Sequence, residues 1–135
     1  MTLRQARGKI MLAIDEDPPV VAIYRGGRKS LEGRMFFVNT DENSPAAGYI
    51  TLNEPIKQHE RIQAAVKAGI IVRTRADADT WEARKNDTAP REAAFSSGAN
   101  YVSTDYRHPD TRFSAYEARL PDGVVARANP VDAKP

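Results

Sequence analysis

The sequence has no cysteine. Disulfides, thiolate nucleophiles and Cys-based zinc sites are therefore excluded. Histidine is scarce as well: His59 and His108 are the whole supply, so a paired-histidine mechanism within this chain must use both. No apolar run approaches the ~20 residues that span a bilayer. The opening Met1-Thr2-Leu3-Arg4-Gln5-Ala6-Arg7-Gly8 has no apolar core of the kind a secretory signal needs. Charge of one sign is also missing. Twenty basic residues stand against eighteen acidic ones, interspersed, for a net +2. That balance is wrong for a nucleic-acid footprint, and no polybasic cluster points to an anionic membrane.

What is present is an ordinary globular composition, 41% apolar and 28% charged over 135 residues. Short apolar runs ending in polar residues recur. Residues 9–14, 34–39, 48–53, 70–75 and 100–104 read as strands buried on both faces, the pattern of a parallel sheet. Val20 to Tyr24 reads as a brief helical turn before Gly26-Gly27. The clearest helix starts around Pro55, with Asn53 or Glu54 as its cap. It carries Ile62, Ala65, Val66 and Gly69 on one face. Asp79-Thr80-Trp81-Glu82 has capping-box spacing, with Asp79 at the cap. A further helical piece runs from Arg91 to Ser96. Ala115–Leu120 and Val124–Arg127 around Pro121-Asp122-Gly123 predict a terminal β-hairpin. A domain over 1–128 and a tail over 129–135 follow. Strands alternating with helices give an α/β class, with sites at the C-terminal strand ends. Those ends carry Asp15, Asn39, Asn53, Arg75, Asp77, Asp105 and Tyr106.

Val72-Arg73-Thr74-Arg75-Ala76-Asp77-Ala78-Asp79-Thr80, with Glu82-Ala83-Arg84 and Asn86-Asp87 beyond it, resembles a late-barrel strand and loop of the calcium-dependent, phosphatidylinositol-specific phospholipases C. The similarity extends collinearly through Arg7-Gly8-Lys9, Met35-Phe36-Phe37, Ser97-Gly98-Ala99, Val102-Ser103-Thr104-Asp105-Tyr106 and Arg127-Ala128-Asn129-Pro130-Val131. The Thr104-Asp105-Tyr106 end also resembles glycerophosphodiester phosphodiesterases. The resemblance implies the C-terminal half of a TIM-like (β/α) barrel, beginning at its fifth strand. It also implies a phosphoric diester hydrolase acting on phosphatidylinositol or a related lipid. In that reaction one histidine activates the inositol 2-hydroxyl, another protonates the leaving diacylglycerol, and calcium stabilises the phosphate charge. The family's catalytic histidines and calcium ligands belong to the first strands of the barrel, and nothing here matches those motifs. Ala128 stands where the family carries a cysteine. The family is largely exported.

The candidate site residues follow from strand position. Arg73 and Arg75 alternate along one strand and share a face. Each is either a donor to phosphate and inositol hydroxyls or half of an internal ion pair with Asp77 or Asp105. Asp77 is either a site carboxylate or a structural one. Asp105 and Tyr106 either accept hydroxyls and stack on a sugar-like ring, or anchor a loop. His59 lies on the helix's apolar stripe and reads as a packing residue. His108 reads as an exposed loop residue, and Asp15-Glu16-Asp17 as a solvated loop. Two functional readings remain. The chain is the substrate-facing part of a hydrolase that needs its other half, or it is a non-catalytic half-barrel that self-associates, because half a barrel leaves two unpaired edges.

Overall fold

The computed structural model describes residues 3–131. After a short helix α1 (Leu3–Ala6), the elements run β1 (Ala13–Ile14), α2 (Pro18–Arg25), β2 (Phe37–Val38), β3 (Tyr49–Thr51), α3 (His59–Lys67), β4 (Ile71–Arg75), α4 (Trp81–Lys85), α5 (Ala89–Ser96) and β5 (Tyr101–Ser103). The fold is α/β, and every strand pairing is parallel. β1 pairs with β2 in one sheet, and β3-β4-β5 form another.

Among the described residues a single parallel bridge, Asn39 to Tyr49, joins the two sheets. The Asn39 side chain reinforces it, its Oδ1 accepting the Thr51 N–H at 2.9 Å. A side-chain amide thus does the work of a ladder carbonyl where β2 ends. Gly48 permits this junction. A Cβ there would lie 2.8 Å from two ring carbons of Phe37. The strand order is therefore the chain order, one to five.

Strand alternation assigns the two faces. Ile50 and Val72 are in register and fully buried. They pack with Leu52, Ile70 and the α3 residues Ile62, Ala65 and Val66. Burial of a side chain such as Ile62 contributes roughly 1.5–3 kcal/mol. Val38 is buried with Val21 of α2 and Ala46 in a second cluster. The Asn39–Tyr49 bridge puts Val38 on the same side as Ile50. α5 lies beside α3, where His59 Nε2 is 3.0 Å from Ser96 Oγ. Helices α2, α3 and α5 therefore cover one face of the sheet. Tyr49, Thr51, Ile71, Arg73, Arg75, Tyr101 and Ser103 share the other.

Several elements differ from the sequence reading. The first expected strand is shorter, because Ile10, Met11 and Leu12 are exposed rather than buried on two faces. The Val20–Tyr24 turn is a helix of eight residues, with Pro18 and Pro19 in its first turn and Gly26 in the left-handed closing position. α3 begins at His59 with Gln58 at the cap position, and Gly69 follows at φ 82°. Pro55 belongs to the turn that precedes it. Asp79 is not a helix cap. It adopts φ 54°, Thr80 takes the cap position, and Glu82 accepts from the Ala78 N–H.

The expected terminal hairpin is not seen among the described residues. Pro121–Gly123 form a 3₁₀ turn, and no strand flanks it. Its two arms are held apart by separate anchors. Ala118 N–H bonds Tyr106 O, whereas Arg127 bonds Phe95 O and Asn129 bonds Gly98 O. Val131 packs against the main core. The start of the expected 129–135 tail is thus attached, and residues 132–135 lie outside the described residues.

Candidate active-site face

Two constellations gather at the C-terminal ends of the strands. The first lies on the face opposite the helices. Arg73 Nη1 is 3.2 Å from Asn53 Oδ1 and 3.6 Å from Asp15 Oδ2. The other Asp15 oxygen accepts the Thr51 hydroxyl at 2.9 Å. Asp15, at the end of β1, therefore reaches past β2 to the ends of β3 and β4. Next to it, Arg75 donates from Nε to Asn53 O at 3.1 Å and from Nη2 to Glu54 Oε1 at 3.3 Å. The side chains of Arg73 and Arg75 keep 29% and 36% exposure. Both guanidinium groups are oriented by partners yet open to solvent. Their carboxylates are Asp15 and Glu54, not the expected Asp77 or Asp105.

Arg75 and Asp77 line a cavity of about 290 Å³ with Asn53, Glu54, Glu82 and Pro90. This concavity holds hydrogen-bond donors and acceptors side by side.

The second constellation is built on Asp77, which is buried. Its Oδ1 accepts the Asp105 N–H at 2.9 Å, and its Oδ2 accepts the Thr104 hydroxyl at 2.5 Å. The Tyr116 hydroxyl lies 3.2 Å from Oδ2 and 3.1 Å from Ala76 O. Asp77 thus clamps the end of β4 to the end of β5 and to the returning C-terminal segment. Tyr106 stands edge-on to Tyr116, with centroids 5.8 Å apart, and its hydroxyl reaches Asp79 O at 3.3 Å. The Asp105 side chain is exposed and makes no bond among the described residues. Arg75 pairs in register with Ser103, two residues before Asp105. Arg75 and Asp105 therefore share one end of the sheet, but no ion pair links them.

Tyr116 escaped the sequence reading, which placed it in a hairpin arm. It is 1% exposed. Burial first, then the Asp77 charge, push its phenol well above the ordinary range. No local pattern marks it, because its partners lie 39 and 40 positions away. His108 is exposed, and His59 contacts Ser96 at the helix-covered side. Neither histidine joins the strand-end constellations.

These strand-end carboxylates do not fit a calcium site. Ca²⁺ needs six to eight converging oxygens. Asp15, Glu54 and Asp77 are turned toward Arg73 and Thr51, toward Arg75, and toward Thr104 and Asp105 respectively. Among the described residues no group of three or more acidic or histidine side chains gathers to hold a metal.

A family model described as Ca²⁺-dependent phosphoinositide phospholipase C matches residues 1–130. The chain belongs to that family. Searches of curated proteins and of solved structures return no match. Membership of that family gives the chain a hydrolase and lipid-metabolism setting. Among the described residues no helix is long and apolar enough to cross a membrane.

Proposed function

We propose that this chain is the C-terminal half of a phosphoinositide phospholipase C barrel and forms the substrate-facing wall of its pocket. The observation that carries this reading is the single covering of the sheet. Helices lie on one face, strands follow chain order, and the arginines stand on the opposite face at the C-terminal ends. A doubly wound sheet would carry helices on both faces, whereas a barrel carries them only outside. The face without helices is then the barrel interior. In this role Arg73 and Arg75 donate to the phosphate or to inositol hydroxyls. Asp105 accepts hydroxyl donors, and Tyr106 flanks the ring. Asp77 holds the two strand ends in place. Acid–base histidines and calcium ligands come from the other half of the barrel. Phosphatidylinositol or a related phosphodiester lipid is the substrate.

The test has two arms. The purified chain, assayed on phosphatidylinositol vesicles with calcium, shows no turnover, because general acid–base catalysis typically contributes ~10²–10⁴-fold and its residues lie elsewhere. Inositol 1-phosphate titrated into the labelled chain shifts the resonances of Arg75, Asp105 and Tyr106, and Arg75→Ala weakens that binding while leaving the fold intact. Turnover that survives repurification and drops in His108→Ala overturns the assignment of catalysis to the other half. Unchanged affinity in Arg75→Ala overturns the site.

A further inference from the structure

The turn between α2 and β2 gathers positive charge that no ion pair neutralises. Arg25, Arg28, Lys29 and Arg34 are spaced too widely to form a run in the sequence. Folding brings them together. Gly26 closes α2 in the left-handed conformation, at φ 60°. A Cβ there would lie 2.7 Å from Arg34 Nη2 and 3.2 Å from Arg28 Nη1, so two guanidinium groups approach one backbone point. Arg25 folds back over the same turn, where its Nη2 donates to Arg28 O at 3.1 Å and also to Lys29 O. Arg28 Nη1 donates in return to Arg25 O at 3.3 Å.

Carbonyl partners orient a guanidinium but leave its charge. Among the described residues none of the four cations forms an ion pair. Glu32 is the one carboxylate within the turn, and it accepts the Ser30 N–H at 3.0 Å instead. Arg25 Nε and Arg34 Nε are buried donors with no acceptor among the described residues. A buried charged donor left unpaired is costly, so an added acceptor stabilises the turn. The arginines are also held in place. Arg34 lies over the Tyr24 ring, 5.2 Å from its centroid, and the Tyr24 hydroxyl accepts the Phe36 N–H at 2.9 Å. The Ser30 hydroxyl ties the loop to Pro45 O at 2.6 Å. Because α2 connects two parallel strands, this turn stands at their N-terminal ends, away from Arg73, Arg75 and Asp77.

We propose that the α2–β2 turn binds a phosphate group, with Arg28 and Arg34 donating to its oxygens and Arg25 and Lys29 adding charge. Guanidinium forks match phosphate oxygens, and a dianion balances several converging cations better than a single carboxylate does. Two sources present that group. One is a small soluble phosphate. The other is an anionic lipid headgroup, for which Ile23 and Met35, 80% and 87% exposed beside the turn, supply apolar contact. The site lies wholly within one connection of the chain and is independent of the ligand taken at the other end of the sheet.

Two binding experiments on the full 135-residue chain test it. In the first, inorganic phosphate is titrated into labelled protein and followed at the Gly26 and Gly27 amides and at the Arg28 and Arg34 Nε–H resonances. In the second, the protein is co-sedimented with phosphatidylcholine vesicles with and without phosphatidic acid. Saturable shifts at the turn without vesicle binding identify a soluble ligand. Binding confined to the phosphatidic acid vesicles, and lost in Ile23→Ser/Met35→Ser, identifies the lipid source. In either arm Arg28→Gln/Arg34→Gln weakens binding by roughly tenfold or more, with an unchanged circular dichroism spectrum. Arg75→Ala leaves binding at the turn intact. Should the double variant unfold, Arg28→Gln alone, at an exposed position, makes the comparison. Absence of binding in both arms overturns the proposal. So do shifts that chloride reproduces at equal ionic strength, or binding that survives Arg28→Gln/Arg34→Gln in the folded protein.

Discussion

Replacing Tyr116 by Phe removes one oxygen from the interior and keeps the ring. In the wild type that hydroxyl faces Ala76 O at 3.1 Å and Asp77 Oδ2 at 3.2 Å. Asp77 keeps its bonds from the Thr104 hydroxyl and the Asp105 N–H, so the carboxylate is not stranded. The loss is then that of one hydrogen bond to a charged group, about 1.5–3 kcal/mol. For a domain of this size that lowers the melting temperature by roughly 5–10 °C. A pH series separates this bond from a generic packing defect. The folded phenol ionises well above its ordinary value of 10.0, because of burial and the Asp77 charge. Stability from the neutral phenol is therefore complete below pH 10. It falls as the pH climbs above 10, where the unfolded chain releases that proton and the native one does not. The slope is about 1.4 kcal/mol per pH unit for this one group. Tyr116→Phe lacks the group, so the gap between wild type and variant narrows above pH 10. Urea unfolding at pH 7 and at several values above 10 measures this. A loss under about 0.5 kcal/mol at pH 7, the scatter of ordinary surface changes, refutes the clamp. So does a gap that stays constant with pH.

Three further outcomes follow from particular contacts. Asn39→Leu deletes the acceptor of the Thr51 N–H at the only bridge described between the two sheets. It costs about 1–3 kcal/mol by urea unfolding and raises amide exchange first at Tyr49 and Thr51. Gly98→Ala places a Cβ against Val131 and forces a side chain into φ 82°. It destabilises by about 1 kcal/mol or more, and limited proteolysis then cuts the segment beyond Arg127 sooner. Arg75→Ala weakens inositol phosphate binding, with a melting shift small enough to fit a solvent-screened pair with Glu54 of roughly 0–1 kcal/mol.

The α/β class and the strand-end placement of the candidate residues were legible in the residues themselves. Five apolar runs, each ending in polar residues, announced a parallel sheet, and alternation along Ile71–Arg75 put both arginines on one face. Gly26 and Gly69 marked helix ends, because the left-handed conformation there is cheap only for residues such as glycine. Partnership was not legible. Arg73 pairs with Asp15, 58 positions earlier in sequence, and Arg75 with Glu54, because the register of parallel strands decides which strand ends meet. The hairpin failed for the same reason. Pro121-Asp122-Gly123 does encode a turn, but pairing of its arms competes with Tyr106, Phe95 and Gly98 as anchors, and those contacts win. Strand lengths also depended on tertiary context: Ile10 to Leu12 are as apolar as a buried strand, yet they stay exposed among the described residues. The sequence by itself determined which segments favour strand or helix and which face of each is polar, since those follow from local sterics and side-chain period. The tertiary structure alone decided that Asp77 is a clamp held by Tyr116 and that Arg75 opens onto a cavity, since both depend on side chains converging from elements far apart in the chain.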